Sequence, residues 1–139
     1  GIIEYLGVSD NVELELAKSD CVVLPSFYRE GVPKSLLEAG AMGKPIVTTD
    51  NVGCRETVDH GINGFIFHKK NAESLLLVLD QMIGLSHTER CEMGKRSRIK
   101  MEKEFDEVAV IKSYMSALDN IFSPQISTAT KVTGRPKLN

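Results

Sequence analysis

The chain has 139 residues, 42% apolar and 26% charged, enough for one ordinary globular domain with a hydrophobic core. Its formal net charge of -2, from 17 basic and 19 acidic residues, gives no reason to expect nucleic-acid binding. Cys21, Cys54 and Cys91 are far apart, with no CxxC pair or Cys/His cluster. That spacing argues against a zinc site and a disulfide framework, and fits a reducing, cytoplasmic setting.

No apolar run approaches the roughly 20 residues needed to span a bilayer. No signal peptide is visible either. Gly1 leads into Ile2-Ile3-Glu4-Tyr5-Leu6 without a Met, which reads as a piece of something longer. Residues 2–6 predict a short strand, closed by Gly7. Asp10 and Asn11 are helix starters, and Val12, Leu14, Leu16 and Ala17 predict a helix over 12–18. Cys21-Val22-Val23-Leu24 has no alternation, which predicts a strand buried on both faces, as in a parallel sheet. Pro25 ends it.

A polar loop over 26–31 leads to Pro33, a residue suited to the first helical position. That helix should run to about Met42, with Gly43 as its stop. A third strand is expected over 45–49, a turn over 50–53 and a short helix over 54–58. Gly61-Ile62-Asn63-Gly64 reads as a turn before a fourth strand, Phe65-Ile66-Phe67. Asn71 should cap a helix ending at Ile83, and further helices are expected over 88–104 and 106–122. The last carries Val108, Ile111, Tyr114, Met115, Leu118 and Phe122 on one stripe, with Tyr114 and Phe122 expected in core or interdomain packing. Residues 123–139 are rich in Pro, Ser, Thr, Gly and Lys and are expected to form a disordered tail. Strands alternating with helices imply right-handed βαβ units, an α/β fold with a mostly parallel sheet flanked by helices.

Ligands of such sheets bind beyond the carboxyl ends of the strands, where the loop after Leu24 lies. A helix start there offers free backbone N–H groups and about half a positive charge from the dipole, a ready anion site. Lys34, Ser35 and Leu36 are the expected donors, and Gly31 would let a ligand approach the backbone closely. Pro33, Leu36, Leu37, Gly40, Ala41 and Lys44 share one helical sector, all but Lys44 suited to packing on the sheet. Glu38 falls outside it, and its carboxylate can reach back toward the first turn. Glu30 lies on the other side of the anion site. Carboxylates repel phosphate but accept from hydroxyls, so the pair suits a sugar and a ribose flanking a diphosphate. A plainer reading stays open: Glu38 pairs with Lys34 one turn away, and Glu30 is a solvated loop residue.

The run from Leu24 through Glu30-Gly31-Val32-Pro33-Lys34-Ser35-Leu36-Leu37-Glu38-Ala39 resembles the glutamate, seven residues, glutamate motif of retaining glycosyltransferases of family 4. The resemblance continues through Ala41-Met42-Gly43-Lys44-Pro45-Ile46-Val47, Gly53-Cys54-Arg55-Glu56-Thr57-Val58 and Gly61-Ile62-Asn63-Gly64-Phe65, and covers residues 3–122. It implies the Rossmann-like C-terminal half of a GT-B fold, with 1–122 as the nucleotide-sugar donor domain. Glu30 and Glu38 would be the catalytic pair, Glu30 at the donor sugar and Glu38 at the ribose. Gly31, Val32, Pro33, Lys34, Ser35 and Leu36 would hold the diphosphate, and Gly7 and Val8 would lie near the base. No cofactor or metal is implied. The acceptor, a glycan or lipid-linked saccharide, would sit on an N-terminal domain outside this chain, leaving the chain alone inactive. The version of the motifs resembles bacterial enzymes of capsule, O-antigen or lipid-linked oligosaccharide assembly, cytoplasmic or at the inner membrane face. A non-catalytic nucleotide-sugar binding module and a GT-B-fold epimerase are the alternatives. His60 is expected to be a turn residue. The basic run over 95–100 is expected to be a solvated face, with contact to anionic lipid as the alternative.

Overall fold

The structure, a computed structural model, describes residues 2–29 and 31–122. Glu30 and the tail expected to be disordered lie outside the described residues. The elements are α1 (Val12–Lys18), β1 (Val22–Leu24), α2 (Lys34–Ala41), β2 (Ile46–Thr49), a 3-10 turn at Arg55–Thr57, β3 (Gly64–Phe67), α3 (Ala72–Gly84), α4 (His87–Glu104) and α5 (Glu107–Phe122). Residues up to Asp106 form one compact unit, and α5 belongs to a second.

Among the described residues the sheet has three strands in the order β1-β2-β3, both pairings parallel. β2 is central and all four of its residues are buried. β1 departs from expectation: it is an edge strand with one neighbour, and Val23 is exposed. The expected strand over 2–6 does not form, and Ile2, Ile3 and Tyr5 stand in solvent. A strand exists only through a ladder with a neighbour, which apolar composition by itself cannot supply.

The sheet is covered on both faces. Val47, Phe65 and Phe67 pack with Val78 and Met82 of α3 and Met93 of α4. On the other face Ile46 packs with Leu36 and Ala39 of α2, Cys54 and Val58. Successive residues of β2 thus feed opposite cores, as a pleated strand requires. The inward side of α2 is Leu36, Ala39 and Gly40, whereas Leu37 and Ala41 are only half-buried, beside Met101 and Arg98 of α4. Contact with α4 as well as the sheet shifts the buried stripe from its expected position. A Cβ on Gly40 would stand 2.6 Å from the Met101 Cγ, so the missing Cβ leaves room for the Met101 side chain between α2 and α4.

Helix ends follow local chemistry. Gly43 takes φ +68 after α2. Its N–H donates to the Gly40 carbonyl at 2.9 Å, and that of Lys44 to Ala39 at 3.0 Å, the paired bonds of a Schellman stop. The Lys44 ammonium, expected only to sit at the helix exit, donates to the carbonyls of Ala17 and Ser19 at 2.9 and 2.8 Å and so caps α1. Asn71 caps α3 by accepting from the Ser74 N–H at 2.9 Å.

Asn63 is a structural knot. It is 1% exposed, accepts from the Asp59 N–H at 2.7 Å and donates to the Thr57 carbonyl at 3.0 Å. Its own carbonyl accepts from Ser97 of α4 at 2.8 Å. His60 accepts from the Ile66 N–H at 2.9 Å through Nδ1, the turn role expected of it. The basic run of α4 is largely paired: Lys95 and Arg96 with Glu92, Arg98 with Glu102, and Lys100 with Asp59 and Glu104. Burial opposes the charge of Lys100, but its bonds to Glu104 and Asp59 outweigh that and raise its pKa.

Ser86 and Glu89 close a capping box at the start of α4. The Ser86 hydroxyl and amide, both 2.7 Å from the carboxylate, hold Glu89 below the usual carboxylate range. A depressed carboxyl pKa stabilises the fold above the unfolded value and loses that contribution as pH falls through the folded one. Wild type should therefore melt above Glu89→Gln at neutral pH, and the gap should close as pH falls below the usual carboxylate range. A gap that widens in acid contradicts the assignment.

By itself α5 carries the expected apolar stripe of Val108, Ile111, Tyr114, Met115, Leu118 and Phe122, but none of its residues is buried. No helix among the described residues is long and apolar enough to cross a membrane.

Candidate functional site

Three loops leave the carboxyl ends of the strands, after Leu24, Thr49 and Phe67. Side chains hold them together. Thr48 donates through its hydroxyl to the Leu24 carbonyl at 2.9 Å, Thr49 to the Ser26 carbonyl, and the Asn51 side-chain amide to the Tyr28 carbonyl. From the third loop the Lys70 ammonium stands 4.9 Å from the centre of the Phe27 ring. That ring lies against Tyr28 with centroids 4.3 Å apart. Sequence reasoning missed Thr48, Thr49 and Asn51. The available signal was polar side chains directly after Ile46-Val47, where a buried strand would ordinarily stay apolar.

The loop after β1 delivers the start of α2 to this end of the sheet. Pro33 has φ -65 and ψ 127, so it is the extended residue before the helix and not the first helical one. Its carbonyl accepts from the N–H of Leu36 at 3.0 Å and of Leu37 at 3.3 Å. The expected diphosphate donor Leu36 is thus corrected: its amide is engaged within the first turn and its side chain is fully buried. Lys34 and Ser35 are the first two helical residues, and their N–H groups have no hydrogen-bond partner among the described residues. Both side chains are exposed. Gly31 and Val32 are exposed just before them, and a Cβ on Gly31 would meet nothing within 4 Å.

Glu38 reaches back along α2 to this turn, with its carboxylate 3.3 Å from the Lys34 ammonium. The Lys34 side chain is 89% exposed, so the pair is worth a few tenths of a kcal/mol and yields readily to a bound anion. Glu38 also borders a cleft shared with Val12, Glu13 and Leu16 of α1. The helix start therefore assembles two amides without a partner among the described residues, an exposed ammonium, a hydroxyl and a carboxylate. That set can hold an anion and accept from a neighbouring hydroxyl.

Other expected residues are not gathered here. Gly7 and Val8 lie in the irregular segment before α1, with Val8 exposed, and no hydrogen bond among the described residues joins them to α2. In the resembled run after β2, Arg55 pairs with Asp50 and Glu56, and Glu56 accepts from the Gly53 N–H at 2.7 Å, so both serve the local turn. Among the described residues no group of three or more His, Cys, Asp or Glu side chains is placed to hold a metal ion.

Residues 2–100 match the family of glycosyl transferases group 1. The chain belongs to that family. This group 1 domain is 35% identical over 127 residues to the N,N'-diacetylbacillosaminyl-diphospho-undecaprenol alpha-1,3-N-acetylgalactosaminyltransferase of Campylobacter jejuni, covering 87% of this chain and 31% of that protein. It is 30% identical over 127 residues to the putative colanic acid biosynthesis glycosyltransferase WcaL of Salmonella typhimurium, covering 86% of this chain and 31% of the relative. Its backbone is similar to that of Anabaena HepE in complex with UDP, with a TM-score of 0.76 at 23% identity, over 83% of this chain and 31% of that one. The fold is that of the C-terminal half of a GT-B glycosyltransferase. The group 1 domain spans 31% of the length of these curated relatives.

Proposed function

We propose that this domain binds the donor of a retaining glycosyltransferase of family 4, which moves a sugar from a nucleotide diphosphate to a glycan or lipid-linked acceptor. The observation that carries the reading is the start of α2: the amides of Lys34 and Ser35, unpartnered among the described residues, with Glu38 one turn behind them, at the carboxyl end of a parallel sheet. As the anomeric C–O bond breaks, its electron pair moves onto the diphosphate. The two amides, the Ser35 hydroxyl and the Lys34 ammonium receive that charge, which makes a metal ion unnecessary. Glu38 accepts from the ribose hydroxyls. Glu30, the other acid of the resembled motif, faces the positive charge developing at the anomeric carbon. Gly7 and Val8 lie toward the base.

UDP in the HepE complex supports a nucleotide-diphosphate ligand. The diphospho-undecaprenol in the name of the Campylobacter relative supports a lipid-linked acceptor, and with it a place at a membrane face. That the chain spans 31% of the length of these relatives supports an acceptor site on another domain of the whole protein, with no sugar transfer by this domain alone.

Titration of the 15N-labelled chain with UDP, GDP and ADP tests the site. The largest amide shifts are expected at Lys34 and Ser35, with small shifts at Leu36, whose N–H is already bonded. Shifts centred away from the start of α2 would count against the placement. Retention is tested separately on the full-length protein: the product's anomeric configuration should match the donor's.

A further inference from the structure

The polar residues at the exit of β2 are buried, with Thr48, Thr49 and Asn51 at 0%, 1% and 5% exposure. Each gives its side-chain proton to one short segment, to the carbonyls of Leu24, Ser26 and Tyr28 in turn. The first of these carbonyls ends β1 and the last lies at a bend, so the three bonds follow the segment as it leaves the sheet. The backbone ladder between β1 and β2 ends at Leu24 opposite Thr48. Beyond that point Thr49 and Asn51 continue the pairing with side-chain donors where backbone N–H groups no longer reach. Asn51 is itself held firmly, since its carbonyl accepts from the N–H groups of Cys54 at 3.1 Å and Arg55 at 3.0 Å. A buried strand end would ordinarily be apolar, because a buried polar side chain costs free energy unless it is bonded. Here the bonds all run to the segment that leads into Gly31 and the start of α2.

We propose that Thr49 and Asn51 are positioning residues for the donor. They set the reach of the loop after β1, so that Gly31 and the amides of Lys34 and Ser35 converge on one diphosphate. Thr48, at the last rung of the ladder, serves the sheet instead. The proposal rests on the donor-site reading and adds to it two residues that touch no ligand.

The test uses the full-length protein with Thr49→Val, which keeps the shape and removes the donor, and Thr49→Ser, which restores it. Thr49→Val should raise the donor KM about tenfold and leave the acceptor KM unchanged. Thr49→Ser should return the donor KM to within about twofold of wild type. A merely structural residue would instead lower the active fraction without moving either KM. Asn51→Asp, which cannot donate to Tyr28, should give the same donor-specific effect and serves if Thr49→Val does not fold. Wild-type donor KM in a folded Thr49→Val or Asn51→Asp protein, while UDP still shifts Lys34 and Ser35 in wild type, would overturn this proposal alone. Failure of wild type to bind UDP would overturn the donor-site reading and this proposal with it.

Discussion

Glu38→Ala in the full-length protein is expected to raise the donor KM by roughly ten- to a hundredfold while the acceptor KM stays unchanged. The carboxylate sits one turn behind the anion-binding amides, 3.3 Å from Lys34, where it can accept from hydroxyls beside a bound diphosphate. A hydrogen bond to a charged acceptor contributes about 1.5–3 kcal/mol, and about 1.4 kcal/mol is a factor of ten. Loss of the ion pair with the exposed Lys34 is too small to account for such a change. Glu38→Gln should recover part of the binding, because the side-chain carbonyl still accepts. Glu30→Ala is expected to act differently, lowering kcat on the order of a hundredfold or more, since its proposed role arises as charge develops in the transition state. Steady-state kinetics with donor and acceptor varied separately would distinguish the two effects. Full activity in both alanine variants would remove the assigned roles.

Gly94→Ala is expected to destabilise the domain strongly. In a helix interior Ala ordinarily gains about 1 kcal/mol over Gly. At this position its Cβ would stand 2.0 Å from the Gly43 carbonyl oxygen and 2.9 Å from the carbonyl carbon. Neither atom belongs to a flexible side chain, so α4 or the stop of α2 must move. Overpacking of this kind costs about 1–3 kcal/mol, and a backbone contact lies at the upper end. The net loss should lower Tm by about 10 °C for a unit of this size. Gly84→Ala is the matched control: a Cβ there meets nothing within 4 Å, and Tm should hold or rise slightly. Thermal melts of the two variants side by side would check both signs. Equal stability of Gly94→Ala and wild type would show that α4 and the stop of α2 do not meet as described.

Much of the helix that carries the candidate site was legible before any coordinates. Pro33 and Gly43 bracket α2 within a residue of its observed ends, because each acts through its own backbone torsions. The return of Glu38 to the first turn followed from helix geometry alone. Leu36 was misjudged for an equally physical reason. With Pro33 extended before the helix, its carbonyl engages the third amide, and one ψ angle decides that.

What the amino-acid sequence determined by itself was local: the kind of each element from β1 onward, their caps and stops, and the loop-to-helix junction at which Glu38 returns to the first turn of α2. Periodicity, proline, glycine and capping side chains act within about one turn, so they can be read along the chain. Only the tertiary structure decided that β2 is central and β1 an edge, and that residues 2–6 form no strand. It also decided that Lys44 caps α1, and that Thr49 and Asn51 grip the loop 23 residues before them. Each of these depends on which distant backbone group lies within hydrogen-bond reach, and packing alone sets that distance.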